Sequence, residues 1–77
     1  MTKLPRVSGK EVIRALQRHG FIIKRQSGSH VIMRHETDLA RRCIVPMHGS
    51  KTIKPGTLYS IIKGAGLSVE EFIAPPK

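Results

Sequence analysis

The tripeptide Gly28-Ser29-His30 lies between two runs of strand-like composition. Phe21-Ile22-Ile23-Lys24-Arg25-Gln26 precedes it and Val31-Ile32-Met33-Arg34-His35 follows. Glycine and serine are turn formers, so this spacing puts one imidazole at the mouth of a hairpin. Histidine has an unperturbed pKa between about pH 5 and 8, so it both takes and gives protons near neutrality. A histidine held over a cationic surface is what metal-free cleavage of an RNA phosphodiester requires. The plainer reading of His30 is a polar residue beside a turn.

The surface around it is cationic. Fourteen Lys and Arg against five Asp and Glu leave a net charge of +9 on 77 residues. The acids are unevenly placed: none falls between Glu11 and Glu36, and none between Asp38 and Glu70. Such acid-free stretches form the electrostatic footprint of a nucleic-acid binder. Lys24, Arg25, Arg34, Arg41 and Arg42 are the candidates for phosphate contact, each weighed against being simply a solvated charge. Ser29 joins them as a neighbour of His30, although turn hydrogen bonding also accounts for it. The basic residues do not form one amphipathic helix of the kind that lies on membranes.

Other reactive side chains are less well placed. His19 precedes a helix-ending glycine, where a cation is favoured by the helix C-terminus. His35 faces away from His30 by strand parity. His48 is a possible second titrating group, weighed against a role in the loop before a helix. No Cys/His cluster has zinc-ligand spacing, so neither a metal nor a cofactor is expected. Cys43 is the only cysteine, which excludes an internal disulfide and suits a small buried position in a strand. With no apolar targeting segment at Met1 to Val7 and no membrane-spanning run, the expected compartment is the cytoplasm.

The elements that must position these residues can be read in order. Ser8 and Glu11 form an S-x-x-E capping box, and Val7 with Val12 forms the hydrophobic staple of a first helix. Val12, Ile13 and Leu16 are its apolar stripe, and Gly20 ends it. A strand over 21–26, a Ser27-Gly28-Ser29 turn and a strand over 30–35 follow. Alternation puts Val31, Met33 and His35 toward the core, with His30, Ile32 and Arg34 on the open face beside Lys24 and Gln26. Residues 36–40 form a loop, and 41–45 a third strand ending at Pro46. Pro55 opens a second helix with Leu58, Ile61, Ile62 and Ala65 buried, and Gly66 ends it. Ser68 and Glu71 repeat the capping box for a short third helix, and Pro75-Pro76 closes the chain.

The expected architecture is one α+β domain spanning 1–77. Its α-β-β-β-α order forms a sandwich of two helices on one face of a three-stranded antiparallel sheet, with a short C-terminal helix. A chain of this size buries only about 60% of its unfolded surface, so chemistry must come from few residues on an open face.

In order and spacing, several stretches together resemble the HicA family of bacterial toxins, the mRNA interferases of HicA–HicB toxin–antitoxin pairs. They are Leu4-Pro5-Arg6-Val7-Ser8-Gly9-Lys10-Glu11-Val12, Leu16 to Phe21, Gly28-Ser29-His30, Val45-Pro46-Met47-His48, Lys54-Pro55-Gly56-Thr57-Leu58 and Ala65-Gly66-Leu67-Ser68. The resemblance implies a double-stranded-RNA-binding-domain-like fold, cleavage of mRNA, catalysis by His30 and an HicB-like antitoxin partner. Two departures stand out. Val31 occupies a position where the family often has a second histidine, and the 36–40 loop lacks the short Pro-Asp-Gly-like turn common there. In RNA cleavage His30 would serve as general base or as general acid, with the basic residues stabilising phosphate charge. The alternatives are a non-catalytic double-stranded RNA-binding module and an inactive protein-binding homologue. Against the first, Gly49-Ser50-Lys51 with Lys54 only superficially matches that module, because Pro55-Gly56 follows.

Overall fold

The computed structural model describes residues 4–49 and 51–74; Ser50, Pro75 and Pro76 lie outside the described residues, as do positions 1–3. The order is α1 (Gly9–Arg18), β1 (Phe21–Ser27), β2 (His30–His35), β3 (Arg42–Pro46), α2 (Pro55–Gly64) and α3 (Val69–Ile73). The strands form one antiparallel sheet in the order β1-β2-β3. This is the expected α+β arrangement, consistent with a double-stranded-RNA-binding-domain-like fold.

Local chemistry starts each helix. The Ser8 hydroxyl accepts from the Glu11 N–H, and the Ser8 N–H donates to Glu11 Oε1 at 3.0 Å. Two N–H groups that a helix start would leave unpaired are thereby satisfied. Ser68 and Glu71 build the same box on α3, and their hydrogen bonds hold the Glu71 carboxyl below the usual range. α2 has no side-chain cap and instead begins with Pro55 at its first position.

The strand period of two sorts the sheet into faces. Phe21, Val31, Met33, Cys43 and Val45 are buried against the helices. They meet Val12, Ile13 and Leu16 of α1 and Leu58, Ile61 and Ile62 of α2 in one core. Phe72 joins that core from α3, which packs against both longer helices. Fully burying a side chain of this kind stabilises by about 1.5–3 kcal/mol, so the short α3 is a structural element rather than a tail.

The register corrects the expected membership of the open face. β1 pairs with β2 through Ile22↔Arg34 and Ile23↔Met33, then slips one residue so that Arg25 faces Ile32 and Gln26 faces Val31. Lys24 is the extra residue of this bulge. Simple alternation would put Gln26 beside His30, but the slip puts Arg25 and Ser27 there. β3 also starts one residue later than expected. Arg41 lies just before the paired residues, its carbonyl accepting from the His35 N–H at 2.8 Å while its side chain reaches the helical side, and Pro46 remains paired opposite His30, as an edge strand permits.

Candidate active site

The turn that carries His30 is tight. Ser27 pairs with His30, leaving Gly28 and Ser29 as the two central residues. Gly28 has φ 57°, a conformation that side chains disfavour, and a Cβ added there would meet no other part of the described structure, so the turn's geometry and not crowding calls for glycine. The Ser29 carbonyl accepts from the Met47 N–H, which ties the turn to the end of β3. His30 is therefore exposed but anchored by rigid backbone on both sides.

His30 opens onto a cleft of about 630 Å³. Its sheet wall is His30, Ile44 and Pro46; its other wall is His48, Lys51, Thr52, Ile53 and Lys54, with Thr57 from the first turn of α2. The second wall is held in place by backbone. The Ile53 N–H donates to the Val7 carbonyl at 2.8 Å, and Ser8 and Thr52 form an isolated antiparallel bridge. The segment entering α1 thus supports the loop opposite His30. Gly9 lies directly against the Pro46 carbonyl, closer than any Cβ could approach. The cleft volume falls in the range of about 300–1,000 Å³ typical of small-molecule sites.

The cations read from the sequence are distributed differently. None of Lys24, Arg25, Ser29, Arg34, Arg41 and Arg42 lines the His30 cleft. Arg25, Arg34 and Arg42 project from the open sheet face next to it, in rows set by the pairs Arg25↔Ile32 and Arg34↔Arg42. Arg42 also lines a second groove, of about 510 Å³, with Ile32 and Ile44 on one side and Thr57, Ser60, Ile61 and Gly64 of α2 on the other. Among the described residues Arg34 Nε is enclosed without a hydrogen-bond partner, and like charges directly opposite one another, as Arg34 and Arg42 are, cost stability. Lys24 is exposed at the bulge, and Ser29 contributes its carbonyl to the turn.

Arg41 has another task. Its Nε donates to the Ala65 carbonyl at 2.7 Å, and its guanidinium carbon lies 5.4 Å from the Phe21 ring centre. It therefore satisfies an end carbonyl of α2 on the helical side of the sheet.

Two histidines belong to structure. His35 packs edge-on against Phe21 with ring centres 5.2 Å apart. Its Nδ1 accepts from the backbone N–H groups of Thr37 and Asp38 at 3.3 and 3.1 Å. That geometry assigns the ring proton to Nε2 and uses the imidazole to shape the β2–β3 loop. His19 is the C-cap of α1.

Sequence reasoning missed the lysines of the cleft, Lys51 and Lys54. A signal was present: Lys54-Pro55-Gly56-Thr57 opens α2, so a cation at its first turn could be anticipated. Among the described residues no group of three or more His, Cys, Asp or Glu side chains is placed to hold a metal ion. Among them also, no helix is long and apolar enough to cross a membrane.

A family model described as HicA toxin of bacterial toxin-antitoxin matches residues 9–67, more than half of the chain. Comparison with curated proteins gives no match.

Proposed function

Because the chain belongs to the HicA family of toxins from bacterial toxin–antitoxin pairs, we propose that it is an mRNA interferase that cuts RNA without a metal, with His30 as general acid/base. The observation that carries this reading is His30 itself. It is an exposed imidazole on a rigid turn, opening onto a cleft that also holds Lys51 and Lys54.

RNA supplies its own nucleophile in the 2′-hydroxyl next to each phosphodiester. His30 moves a proton to or from the reacting oxygens, which typically contributes about 10²–10⁴-fold. Lys51 and Lys54 stabilise charge on the phosphate oxygens as it builds. Arg25, Arg34 and Arg42, with Lys24 at the sheet edge, hold the flanking strand. The Arg34/Arg42 pair favours this assignment, because a phosphate between two opposed guanidinium groups relieves their repulsion. Phosphate contacts of this kind position RNA without reading its sequence.

The same face suits an HicB-like antitoxin. Ile22 and Ile44 are 43% and 55% exposed between the arginines. A partner presenting apolar side chains flanked by carboxylates would cover both features and occlude His30.

The test uses purified protein, a chelator, and paired oligonucleotides that differ only in a 2′-deoxy sugar at the cleavage site. The ribo-substrate is expected to be cut in chelator to a 2′,3′-cyclic phosphate or its hydrolysis product, and the deoxy-substrate to remain intact. Equal cleavage of both would rule out the 2′-hydroxyl route. Binding without cleavage of any RNA would instead indicate a non-catalytic RNA-binding module.

A further inference from the structure

We propose that His48 is the second acid–base group of the cleft and acts with His30 on opposite sides of one phosphodiester. This rests on RNA cleavage being the reaction.

The chemistry calls for two proton transfers. As O2′ attacks phosphorus, a base takes the hydroxyl proton and the O2′–P bond forms. As the P–O5′ bond breaks, an acid gives a proton to O5′. The products are a 2′,3′-cyclic phosphate and a free 5′-hydroxyl, and no other reactant is consumed. In an in-line displacement the entering and leaving oxygens flank phosphorus on opposite sides, so one imidazole is poorly placed to serve both.

The fold brings a second imidazole to this place. Pro46 is the cross-strand partner of His30, and His48 follows it by two residues. The intervening Met47 donates its N–H to the Ser29 carbonyl, so the segment carrying His48 is bonded to the turn carrying His30. Both imidazoles are exposed and both line the cleft, and among the described residues no carboxylate lines it. Glu11, Asp38 and Glu71 are engaged elsewhere, with Ser8, Ala40 and Ser68. His35 is committed to the β2–β3 loop. Among the described lining residues Lys51 and Lys54 are the cations, which leaves His48 as the second imidazole there to exchange a proton with whichever reacting oxygen, O2′ or O5′, His30 does not serve.

The experiment compares the full-length parent, His30→Ala and His48→Ala on two substrates. One is an RNA cut by the parent; the other carries sulfur in place of the bridging 5′-oxygen at the same bond. A thiolate leaves without being protonated, so sulfur substitution removes the need for the acid alone. Each variant is expected to lose about 100-fold or more in single-turnover rate on the ordinary RNA. Binding to a non-cleavable 2′-deoxy analogue should be unchanged for His48→Ala. On the sulfur substrate one variant, and only one, should recover toward the parent rate, and that variant lacks the acid. His48→Ala cleaving within about threefold of the parent would overturn the pairing and leave His30 catalysis standing. So would a loss that sulfur restores in neither variant. Failure of the parent to cut any RNA would overturn the pairing and the underlying reading together.

Discussion

Arg41 donates from Nε to the Ala65 carbonyl at 2.7 Å, while its neighbour Arg42 stands directly opposite Arg34 on the other face of the sheet. Adjacent arginines thus serve different ends, one closing a helix and one meeting solvent. Arg41→Ala should cost about 1–3 kcal/mol, the worth of a charge-assisted hydrogen bond plus the cation–π contact with Phe21. In a domain of this size that lowers Tm by about 4–8 °C per kcal/mol, measurable by thermal denaturation. Arg42→Ala should leave Tm unchanged or slightly raised, since it relieves the repulsion with Arg34, while it weakens RNA binding across unrelated sequences and reduces the salt dependence by about one phosphate contact. Equal stability losses in the two variants would contradict this division.

His30→Ala should abolish RNA cleavage and growth inhibition without unfolding the protein. The side chain is exposed, so its removal opens no cavity, and such substitutions usually stay within about 0.5 kcal/mol. Cleavage assays with circular dichroism as the folding control decide the matter. A folded variant that cuts at the parent rate would remove His30 from the mechanism.

Gly9→Ala should be damaging although alanine favours helices. Its Cβ would overlap the Pro46 carbonyl and lie 2.9 Å from Met47 Sδ, so α1 and the end of β3 must separate. Overpacking of this kind costs about 1–3 kcal/mol, read as a lower denaturant midpoint. Because Pro46 and Met47 lead directly to His48, activity should fall further than the population of folded protein does.

Burial pushes the Cys43 thiol up to about 11. The folded state therefore holds the proton more tightly than an unfolded chain, whose thiol titrates near 8.5. The resulting stability is fully present below about pH 8.5 and is lost as pH rises toward 11. At pH 8 the thiol should be neutral and shielded, so iodoacetamide should modify native protein far more slowly than urea-unfolded protein. Equal rates, followed by mass spectrometry, would contradict its burial.

A cognate HicB-like antitoxin mixed with the protein before RNA is added should abolish cleavage by covering the His30 face. Double substitution of Ile22 and Ile44 to serine should weaken that complex while sparing the core, since both side chains are exposed. Full activity in a saturated complex would place the partner elsewhere.

Much of this molecule is legible in its residues because the relevant interactions are local. Each capping box joins residues three positions apart, the helix stripes recur with the helical period, and alternation in β2 separates Val31 and Met33 from His30 and Arg34 with no knowledge of the neighbours. The Gly28-Ser29 turn likewise singles out His30. Other features depend on partners distant in the chain. The bulge at Lys24 exists because β1 and β2 pair on either side of it, and one residue of slip exchanges Gln26 for Arg25 on the open face. Whether an arginine in an acid-free stretch meets solvent or a helix end depends on where α2 finishes, 24 residues beyond Arg41. The cleft is equally a tertiary product: His48, Lys51 and Lys54 face His30 because Val7 and Ser8 hold the loop at Thr52 and Ile53 by backbone hydrogen bonds. Sequence alone specifies which side chains have the chemistry; the long-range backbone pairing decides which of them share a site.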